Sequence, residues 1–280
     1  MLALYDQIYS ALLPVYGDDE ARALTFWVLE ECGYSRTQIL MGTERGCKDT
    51  KNIPNTETII ARLLKKEPIQ YIFGHTDWAG LRLRVTPATL IPRPETAELV
   101  ELIAREHGAE QTLRVLDIGT GSGCIAIALR RRHPSWQVSG LDISPEALAV
   151  AQENAAANNV PINWIQADFL DEKTSLSDAL GGPVDILVSN PPYIRCSERA
   201  SMSANVLDYE PSTALFVPDS DPLLFYRRIA QSRLGRYLYL EVNEQLAYET
   251  AQLLVAHGYT SVTVLQDAYG KDRFVCAERQ

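Results

Sequence analysis

From residue 113 onward, short apolar segments alternate with amphipathic segments along the chain. Hydrophobic periodicity predicts that the apolar segments are strands and that the amphipathic segments are helices. Strands that alternate with helices form a mostly parallel sheet with helices on both faces, so we expect a doubly wound α/β domain. The predicted strands are 115–116, 137–141, 162–165, 185–188, 237–242, 260–266 and 273–278, and the predicted helices are 122–132, 145–158, 221–234 and 244–257. Because only a short turn joins the last two strands, we expect them to pair antiparallel.

The first seventy residues have a different pattern, which is typical of a small helical bundle. Leu4, Ile8 and Leu12 recur at helical spacing, and we expect Pro14 and Gly17 to end that first helix. Nothing in this region has the spacing of catalytic residues. We therefore expect it to be a helical domain that packs against or binds a partner.

A hairpin and a proline-rich linker are predicted between these two regions. Residues 81–85 alternate apolar and basic side chains, which is typical of a strand with one wet face, and Ala79-Gly80 supplies the turn before it. Pro87, Pro92 and Pro94 then oppose any continuation of helix or sheet. The predicted domains are 1–70, a helical substrate-recognition domain; 71–94, the hairpin and linker; and 95–280, the α/β domain.

A glycine-rich loop follows the strand at 115–116 and opens the next helix. It consists of Asp117, Ile118, Gly119, Thr120, Gly121, Ser122 and Gly123. Glycines at this place let the chain turn sharply and let a ligand approach the backbone. The dinucleotide-binding pattern needs its third glycine one residue later, where Cys124 stands, so the spacing favours a ligand without a pyrophosphate. Taken by itself, the loop is also compatible with a generic nucleotide site or a structural turn.

Acidic residues follow the next two predicted strands, at the same edge of the sheet. Asp142 ends the second strand, where a carboxylate accepts hydrogen bonds from two ribose hydroxyls. Asp168 and Phe169 end the third strand, where an acid beside an aromatic ring suits an adenine amino group and its ring. Adenine, ribose and a charged tail without phosphate together describe S-adenosylmethionine, whose product after methyl transfer is S-adenosylhomocysteine.

A stiff loop, Asn190-Pro191-Pro192-Tyr193, ends the fourth predicted strand. Prolines lack a backbone donor and restrict the chain, so the Asn190 side-chain oxygen and the Pro191 carbonyl form a rigid pair of acceptors. Such a pair fits a planar –NH₂ group, and it orients a nitrogen that need not be deprotonated first. Catalysis then comes from positioning and electrostatics, and the Tyr193 ring is expected to pack on the substrate or near developing positive charge.

Charge and cysteine content narrow the classes of partner. The 280 residues include 26 Lys and Arg and 36 Asp and Glu, a net charge of −10, which weakens a nucleic-acid role because such proteins usually present a basic surface. No apolar run reaches the roughly 18 residues that cross a bilayer, so we expect no membrane partner.

Five scattered cysteines lack zinc or disulfide spacing, which predicts no metal and a cytoplasmic location. These cysteines are Cys32, Cys47, Cys124, Cys196 and Cys276.

The glycine-rich loop together with Asn190-Pro191-Pro192-Tyr193 resembles Rossmann-like, S-adenosylmethionine-dependent amino-group methyltransferases. That superfamily includes DNA adenine, rRNA guanine and protein glutamine enzymes, so these two motifs do not select a substrate. Three further stretches resemble the PrmC/HemK family, which methylates the glutamine of the Gly-Gly-Gln motif in peptide-chain release factors. They are Gln70-Tyr71-Ile72-Phe73-Gly74, Leu90-Ile91-Pro92-Arg93-Pro94-Glu95-Thr96 and Tyr209-Glu210-Pro211-Ser212-Thr213-Ala214-Leu215.

The resemblance covers essentially the whole chain and implies a role for each motif. The residues of the glycine loop, Asp142 and Phe169 would bind the cofactor, Asn190 would contact cofactor and substrate, and Pro191, Pro192 and Tyr193 would hold the glutamine amide. The helical N-terminal domain would contact the release factor.

Two positions depart from the family pattern, and one arginine has two readings. Ala97 stands where the family usually has a glutamate, and Asn243 stands where it usually has a glycine. Asn243 tolerates a positive φ better than most residues, so the turn is expected to survive. Arg93 either neutralises a cofactor carboxylate or anchors the linker. The alternatives to a release-factor methyltransferase are a nucleic-acid amino-methyltransferase and a non-catalytic module that binds the cofactor.

Overall fold

The computed structural model describes residues 2–42, 55–108, 112–172 and 176–279, and Cys47 lies outside them. The helices are α1 (Leu2–Glu31), α2 (Arg36–Met41), α3 (Thr56–Leu64), α4 (Ile69–Phe73), α5 (Pro94–Glu106), α6 (Cys124–Arg132), α7 (Pro145–Ala157), α8 (Leu176–Leu180), α9 (Ala204–Tyr209), α10 (Leu224–Ser232) and α11 (Ala247–Ala256). The strands are β1 (His75–Trp78), β2 (Leu81–Arg84), β3 (Arg114–Ile118), β4 (Gln137–Asp142), β5 (Asn163–Gln166), β6 (Val184–Ser189), β7 (Ile194–Arg195), β8 (Phe216–Val217), β9 (Gly235–Glu241), β10 (Thr260–Gln266) and β11 (Asp272–Glu278).

A seven-stranded sheet in the order β10-β11-β9-β6-β3-β4-β5 forms the centre of the α/β part. Strand β3 lies parallel to β4 on one side and to β6 on the other, and β5 and β9 extend the parallel region. Strands β11 and β10 close the sheet antiparallel. The predicted α/β fold and the antiparallel pairing of the last two strands are therefore confirmed. Strands β4 and β5 extend the sheet on one side of β3, and the later strands β6 and β9 extend it on the other side. Where the strand order reverses in this way, a crevice opens at the carboxyl end of β3, and such sheets bind ligands there.

The two faces of the sheet pack against different helices. Successive side chains of a strand point to opposite faces, so Val115 lies in one core cluster and Leu116 in the other. The first cluster includes buried residues of α5, α6 and α7 together with the hairpin β1–β2, and the second includes residues of α8, α10 and α11. Helix α7 begins as its sequence predicts, because Ser144 caps it by accepting a hydrogen bond from Ala147 N at 3.0 Å, and Pro145 follows.

The chain divides into two compact units, of which the first contains Met1–Gly74 and Ala204–Tyr209. Its core is built from buried side chains of α1, α2, α3 and α4. Helix α1 continues through Pro14, where the sequence predicted an end, and its helical conformation breaks at Gly17, with φ 76°. Gly17 supplies the kink because a residue without a Cβ adopts positive φ at little cost. In the part of the chain that the structure describes, no helix is long and apolar enough to span a membrane.

The second unit contains His75–Ser203 and Glu210–Gln280. The hairpin β1–β2 belongs to this unit, and its turn residues Ala79 and Gly80 both have positive φ, at 48° and 74°. Two positive φ values suit a tight turn between twisted strands. The short helix α9, which the predicted boundaries placed with the α/β domain, belongs to the first unit. The functional roles assigned to residues 1–70 and 71–94 stay predictions.

Several element boundaries differ from the sequence predictions. Helix α10 begins at Leu224, three residues after the predicted start. Strand β5 ends at Gln166, because the Asp168 carboxylate accepts from Leu170 N at 2.8 Å and turns the chain. Asn243 has φ −64°, so no positive φ is needed there. Its side-chain oxygen instead accepts from Gln245 N at 3.0 Å and caps a short 3₁₀ turn.

Candidate active site

The glycine loop turns away from β3 with three glycines in the left-handed region. Gly119, Gly121 and Gly123 have φ values of 69°, 54° and 79°. The amides of Gly119 and Thr120 both donate to Leu141 O at 2.9 Å, which joins the loop to the end of β4. A Cβ at Gly123 would lie 2.9 Å from the Trp164 ring. Backbone conformation and close packing therefore both require glycine in this loop.

Asp142 ends β4 and supports the loop through its carboxylate. Its Oδ2 accepts from Gly121 N at 2.8 Å, and its Oδ1 accepts from Ser144 N at 3.0 Å. Each oxygen thus has one backbone donor. A carboxylate has about four acceptor sites, so Asp142 keeps capacity for two hydroxyl donors.

Asp117 lies beneath the loop, fully buried. Its Oδ2 accepts from the Thr120 hydroxyl at 2.6 Å, whereas its Oδ1 has no hydrogen-bond partner among the described residues. Burial raises the pKa of the Asp117 carboxyl to about 7, and the nearby Asp142 adds to this effect. Asp117 therefore acts on the site through Thr120 and its electrostatic field.

Asp168 and Phe169 lie just beyond β5. Asp168 is exposed, while Phe169 is buried in the second core cluster, which also includes Leu141 and Ile118. The Arg228 guanidinium lies 5.6 Å from the centre of the Phe169 ring and donates to the Phe169 carbonyl at 3.0 Å. These contacts hold the segment in place at the edge of the sheet.

A cavity of about 380 Å³ opens at this edge, within the range of small-molecule sites. Ten of the predicted site residues line it: Gly119, Thr120, Gly121, Ser122, Asp142, Asp168, Phe169, Asn190, Pro191 and Pro192. Asp117, Gly123 and Tyr193 do not contribute to its wall. The structure therefore brings most of the predicted residues around one space and places these three behind it.

The charges on the cavity wall favour a cation over a polyphosphate. Among the described residues that line the cavity, Arg93 is the one basic side chain, and it is paired with Glu210 at 2.6 Å. The Glu210 side chain is buried and also accepts from Ile91 N at 3.2 Å, so Arg93 anchors the proline-rich segment. Asp142 and Asp168 leave carboxylates on the wall. A positively charged ligand fits these charges by Coulomb attraction.

Asn190 follows β6 and is held by the buried Thr96, which is itself bonded to the buried Glu241; the sequence analysis gave neither of these two residues a role. Its Nδ2 donates to the Thr96 hydroxyl at 3.1 Å, and Thr96 donates to Glu241 Oε2 at 2.7 Å. The Tyr193 hydroxyl donates to Glu241 Oε1 at 3.3 Å. Burial raises the pKa of the Glu241 carboxyl to about 7. Because Asn190 uses its amino group on Thr96, its Oδ1 is left as an acceptor.

Two further buried polar residues hold the site and were also missed. Asn154 donates to the Ser122 carbonyl at 2.9 Å and accepts from Arg84 N at 2.6 Å, so it joins the glycine loop to β2. The Ser189 hydroxyl donates to the Ile118 carbonyl at 2.7 Å, which links the ends of β6 and β3. In the sequence, a polar residue within an apolar helix face or strand could have marked both residues. Their roles could not be predicted, because their hydrogen-bond partners are distant in sequence.

Other candidate features have structural explanations. Helix α6 ends in a run of three arginines, which could suggest a nucleic-acid contact. Their side chains are engaged within the protein: Arg130 contacts the Pro134 carbonyl, Arg131 contacts Asn158, and Arg132 contacts Glu101. Burial raises the pKa of the Cys124 thiol to about 12, which opposes nucleophilic use. Among the described residues, no group of three or more His, Cys, Asp or Glu could hold a metal ion.

Solved structures with a similar fold are methyltransferases. The hMettl16 catalytic domain in complex with the MAT2A 3′UTR hairpin 6 gives a TM-score of 0.57 at 20% identity, covering 71% of this chain and 76% of that one. The delta-N METTL16 MTase domain gives a TM-score of 0.53 at 21% identity, covering 71% of this chain and 89% of that one. At this identity the likeness supports the Rossmann-like α/β fold.

Sequence comparisons give a closer relation. The model of the methyltransferase small domain matches residues 96–208. The release factor glutamine methyltransferase of Bacteroides thetaiotaomicron is 42% identical over 97% of this chain and 98% of its own length. Those of Flavobacterium psychrophilum and Streptococcus pneumoniae are 40% and 38% identical, over 96% and 93% of this chain and 95% and 92% of their own lengths. A similarity of this extent includes the helical unit as well as the α/β unit, and the chain therefore belongs to the family of release factor glutamine methyltransferases.

Proposed function

We propose that this chain transfers the methyl group of S-adenosylmethionine to the side-chain amide nitrogen of the glutamine in the Gly-Gly-Gln motif of a peptide-chain release factor. The observation that carries the proposal is the Asn190 amide on the cavity wall, with its Nδ2 committed to Thr96. An acceptor oxygen held in this way suits a primary amide, which offers two N–H donors. The relatives are named for a glutamine of a release factor, which supports the same class of acceptor.

The volume and the charges of the cavity support S-adenosylmethionine as its ligand. The loop residues Gly119 to Ser122 would hold its amino-acid part, and Asp142 would accept from the ribose hydroxyls with its remaining lone pairs. Asp168 and the backbone around Phe169, which also line the cavity, would hold the adenine. When bound, the cofactor supplies an electrophilic methyl group on a sulfonium, and the carboxylates on the wall favour that positive charge.

The residues around Asn190 prepare the acceptor nitrogen. An amide nitrogen is a weak nucleophile because its lone pair is delocalised into the carbonyl. Asn190 Oδ1 and the Pro191 carbonyl would accept the two N–H groups, which fixes the nitrogen and favours pyramidal geometry with the lone pair toward the methyl group. The nitrogen gains positive charge during transfer, and the same two oxygens stabilise that charge. The methylated nitrogen then loses its proton readily to solvent.

A labelling assay tests this function. Purified chain is incubated with methyl-labelled S-adenosylmethionine and one of three acceptors: a release factor, the same factor with Gly-Gly-Gln changed to Gly-Gly-Ala, and a mixture of RNA and DNA. We expect label on the intact factor and none on the altered factor. Label on nucleic acid alone would overturn the proposed acceptor, and bound cofactor without transfer to any acceptor would favour a binding module.

A further inference from the structure

A continuous chain of hydrogen bonds runs from a buried carboxylate to the cavity wall. Glu241 at the end of β9 is 1% exposed, and Thr96 in the first turn of α5 is 2% exposed. Thr96 links Glu241 to Asn190. Its Oγ1 lies 2.7 Å from Glu241 Oε2 and 3.1 Å from Asn190 Nδ2. Thr96 also lines the cavity, whereas Glu241 does not.

Sheet topology brings these residues together. Strands β6 and β9 are parallel neighbours with Ser189 opposite Leu240, so the residues that follow or end them, Asn190 and Glu241, lie side by side. Helix α5 begins after Arg93, and its first turn places Thr96 between the two. Three elements distant in sequence thus converge on one hydroxyl.

The direction of the protons along this chain decides which way the Asn190 amide faces. Above the raised pKa of Glu241, its ionised carboxylate only accepts hydrogen bonds, so Thr96 gives its single hydroxyl hydrogen to Glu241. Thr96 then has only lone pairs for Asn190, and the amino end of Asn190 must face it. The reversed amide would place two oxygens in contact without a hydrogen between them, which leaves buried acceptors unsatisfied at a cost of about 1–3 kcal/mol.

We propose that Glu241 and Thr96 are positioning residues that fix the Asn190 side chain with its oxygen toward the acceptor nitrogen. The inference rests on the proposed function, because it concerns the same acceptor oxygen. In the reversed orientation Asn190 would present –NH₂ to an –NH₂ substrate, and the two donors would repel each other. Glu241 therefore acts on the reaction through the orientation of an amide it does not touch.

The surroundings of Glu241 support its role as an acceptor. Besides Thr96, the Tyr193 hydroxyl donates to its second oxygen at 3.3 Å. Burial raises the pKa of the Glu241 carboxyl, whereas the hydrogen bond from Thr96 and the positive charge of Arg273 act in the opposite direction. Glu95 opposes ionisation, and Tyr226 donates to the Glu241 main-chain carbonyl at 2.9 Å. The same carboxylate thus fixes both Asn190 and Tyr193, the two polar side chains of the Asn-Pro-Pro-Tyr loop.

Removing the Thr96 hydroxyl tests the proposal. Thr96→Val keeps the shape of the side chain, and we expect the rate of methyl transfer in a single turnover to fall about 10- to 100-fold because the amide loses its fixed geometry. Cofactor affinity should change by less than about threefold, since the cofactor does not bind through Thr96 in the proposed site. Thr96→Ser retains the hydroxyl and should restore most of the rate. Thr250→Val is the matched control, because Thr250 is fully buried and its hydroxyl has no partner among the described residues.

A double-mutant cycle separates orientation from general packing. In an Asn190→Ala background, Thr96→Val should cause less than about twofold further loss, because the amide that it orients is gone. A loss as large as that in the wild-type background would assign Thr96 a purely structural role and overturn the proposal. An unchanged rate for Thr96→Val in the otherwise wild-type chain would also overturn it.

A spectroscopic measurement gives a result that does not depend on the acceptor. The side-chain amide of Asn190 is identified by NMR as the ¹⁵N–¹H₂ signal pair lost in Asn190→Ala. We expect slow hydrogen exchange for this pair in the wild type, and faster exchange in Thr96→Val but not in Thr250→Val. Equal exchange in wild type and Thr96→Val would refute the orientation. If instead exchange behaves as expected while release factor is not labelled, the proposed function fails and the orientation stands.

Discussion

Asp117 is a carboxyl group that water does not reach, and this determines how it responds to pH. Its pKa is raised from the ordinary 3.8 to about 7 by burial, although the Thr120 hydroxyl bond acts in the opposite direction. Because the folded state holds the proton more tightly than the unfolded chain, this group's contribution to stability is present in full below the unfolded pKa. That contribution falls as the pH rises toward 7 and is flat above it.

Replacing Asp117 with asparagine should remove this dependence. We expect the free energy of unfolding of the wild type to lose up to about 1.4 kcal/mol per pH unit relative to Asp117→Asn between about pH 4 and pH 7. Urea unfolding at several pH values measures the difference. Asp77→Asn, at an exposed position of β1, is the control and should keep the wild-type slope. Parallel curves for wild type and Asp117→Asn would contradict the burial argument.

Asn190→Ala should separate the two functions of the cavity wall. We expect cofactor affinity to stay within about tenfold, or 1.4 kcal/mol, because Asp142 and the glycine loop are unchanged. Methyl transfer should fall by orders of magnitude, because the acceptor oxygen is lost. Calorimetry with the cofactor and single-turnover labelling give the two values. Asp142→Ala should show the reverse pattern, mainly weaker cofactor binding.

At the scale of single elements, Gly140 in the middle of β4 controls the spacing between the sheet and the glycine loop. A Cβ at this position would lie 2.4 Å from the Trp164 ring and 2.9 Å from Thr120 Oγ1. The Trp164 ring packs against the first core cluster, and Thr120 belongs to the glycine loop. Gly140 therefore leaves room for a bulky neighbour and for the loop at the same time.

Adding one methyl group there should disturb both stability and binding. We expect Gly140→Ala to lower the free energy of unfolding by about 1–3 kcal/mol through overpacking. Cofactor affinity should fall too, because Thr120 must move. Gly108→Ala is the matched control, as no atom lies within 4 Å of its added Cβ. If Gly140→Ala binds the cofactor as tightly as the wild type, then β4 does not control the loop position.

The elements of the α/β unit were predictable because their signals are local. Ser144 and Pro145 mark the start of α7, and the run of apolar residues in β6 marks a buried strand. The break in α1 was predicted in part: the helix continues through Pro14, since a proline within a helix does not always end it, but its helical conformation breaks at the predicted Gly17. The short strands β7 and β8 were missed, because two-residue pairs carry no periodicity.

The candidate site was predictable where its residues follow strands and not where they depend on distant partners. Asn190 and Asp142 stand directly after apolar strands, so topology predicts their convergence. Thr96 stands in a quoted motif and Glu241 in a predicted strand, but neither had an assigned role, because their hydrogen bond joins positions 145 residues apart. Local pattern contains no information on which side chain meets which across a sheet.

At the scale of the whole molecule, one compact unit is made from two separate stretches of chain. Helix α9 belongs with the N-terminal helices, and the Tyr209 hydroxyl donates to the Lys65 carbonyl at 3.0 Å. The chain therefore passes from one unit to the other after Gly74, after Ser203 and after Tyr209. A change in the stability of the helical core should therefore change the local stability of α9, whereas a change in the elements next to α9 in sequence should not.

Hydrogen exchange tests this assignment. Leu63→Ala removes a fully buried side chain of the helical core and should destabilise that unit by about 2–5 kcal/mol. The exchange rates of the α9 amides should then rise by about the same factor as those of the α3 amides, while the β6 amides keep their protection. Leu187→Ala, in the core of the second unit, should have the opposite pattern. Protection of α9 that follows β6 in both variants would place α9 with the sheet.

The divided unit also bears on how such genes can recombine. An exchange of the first 74 codons between two relatives would bring a new helical core to an old six-residue helix encoded about 130 codons downstream. A chimera that folds well must then carry both stretches from the same parent, or tolerate poorly matched packing where they meet in one compact unit. A single crossover after codon 74 therefore separates two stretches that fold into one compact unit. Among functional hybrids, we expect those that exchange both stretches to be more frequent than those that exchange one.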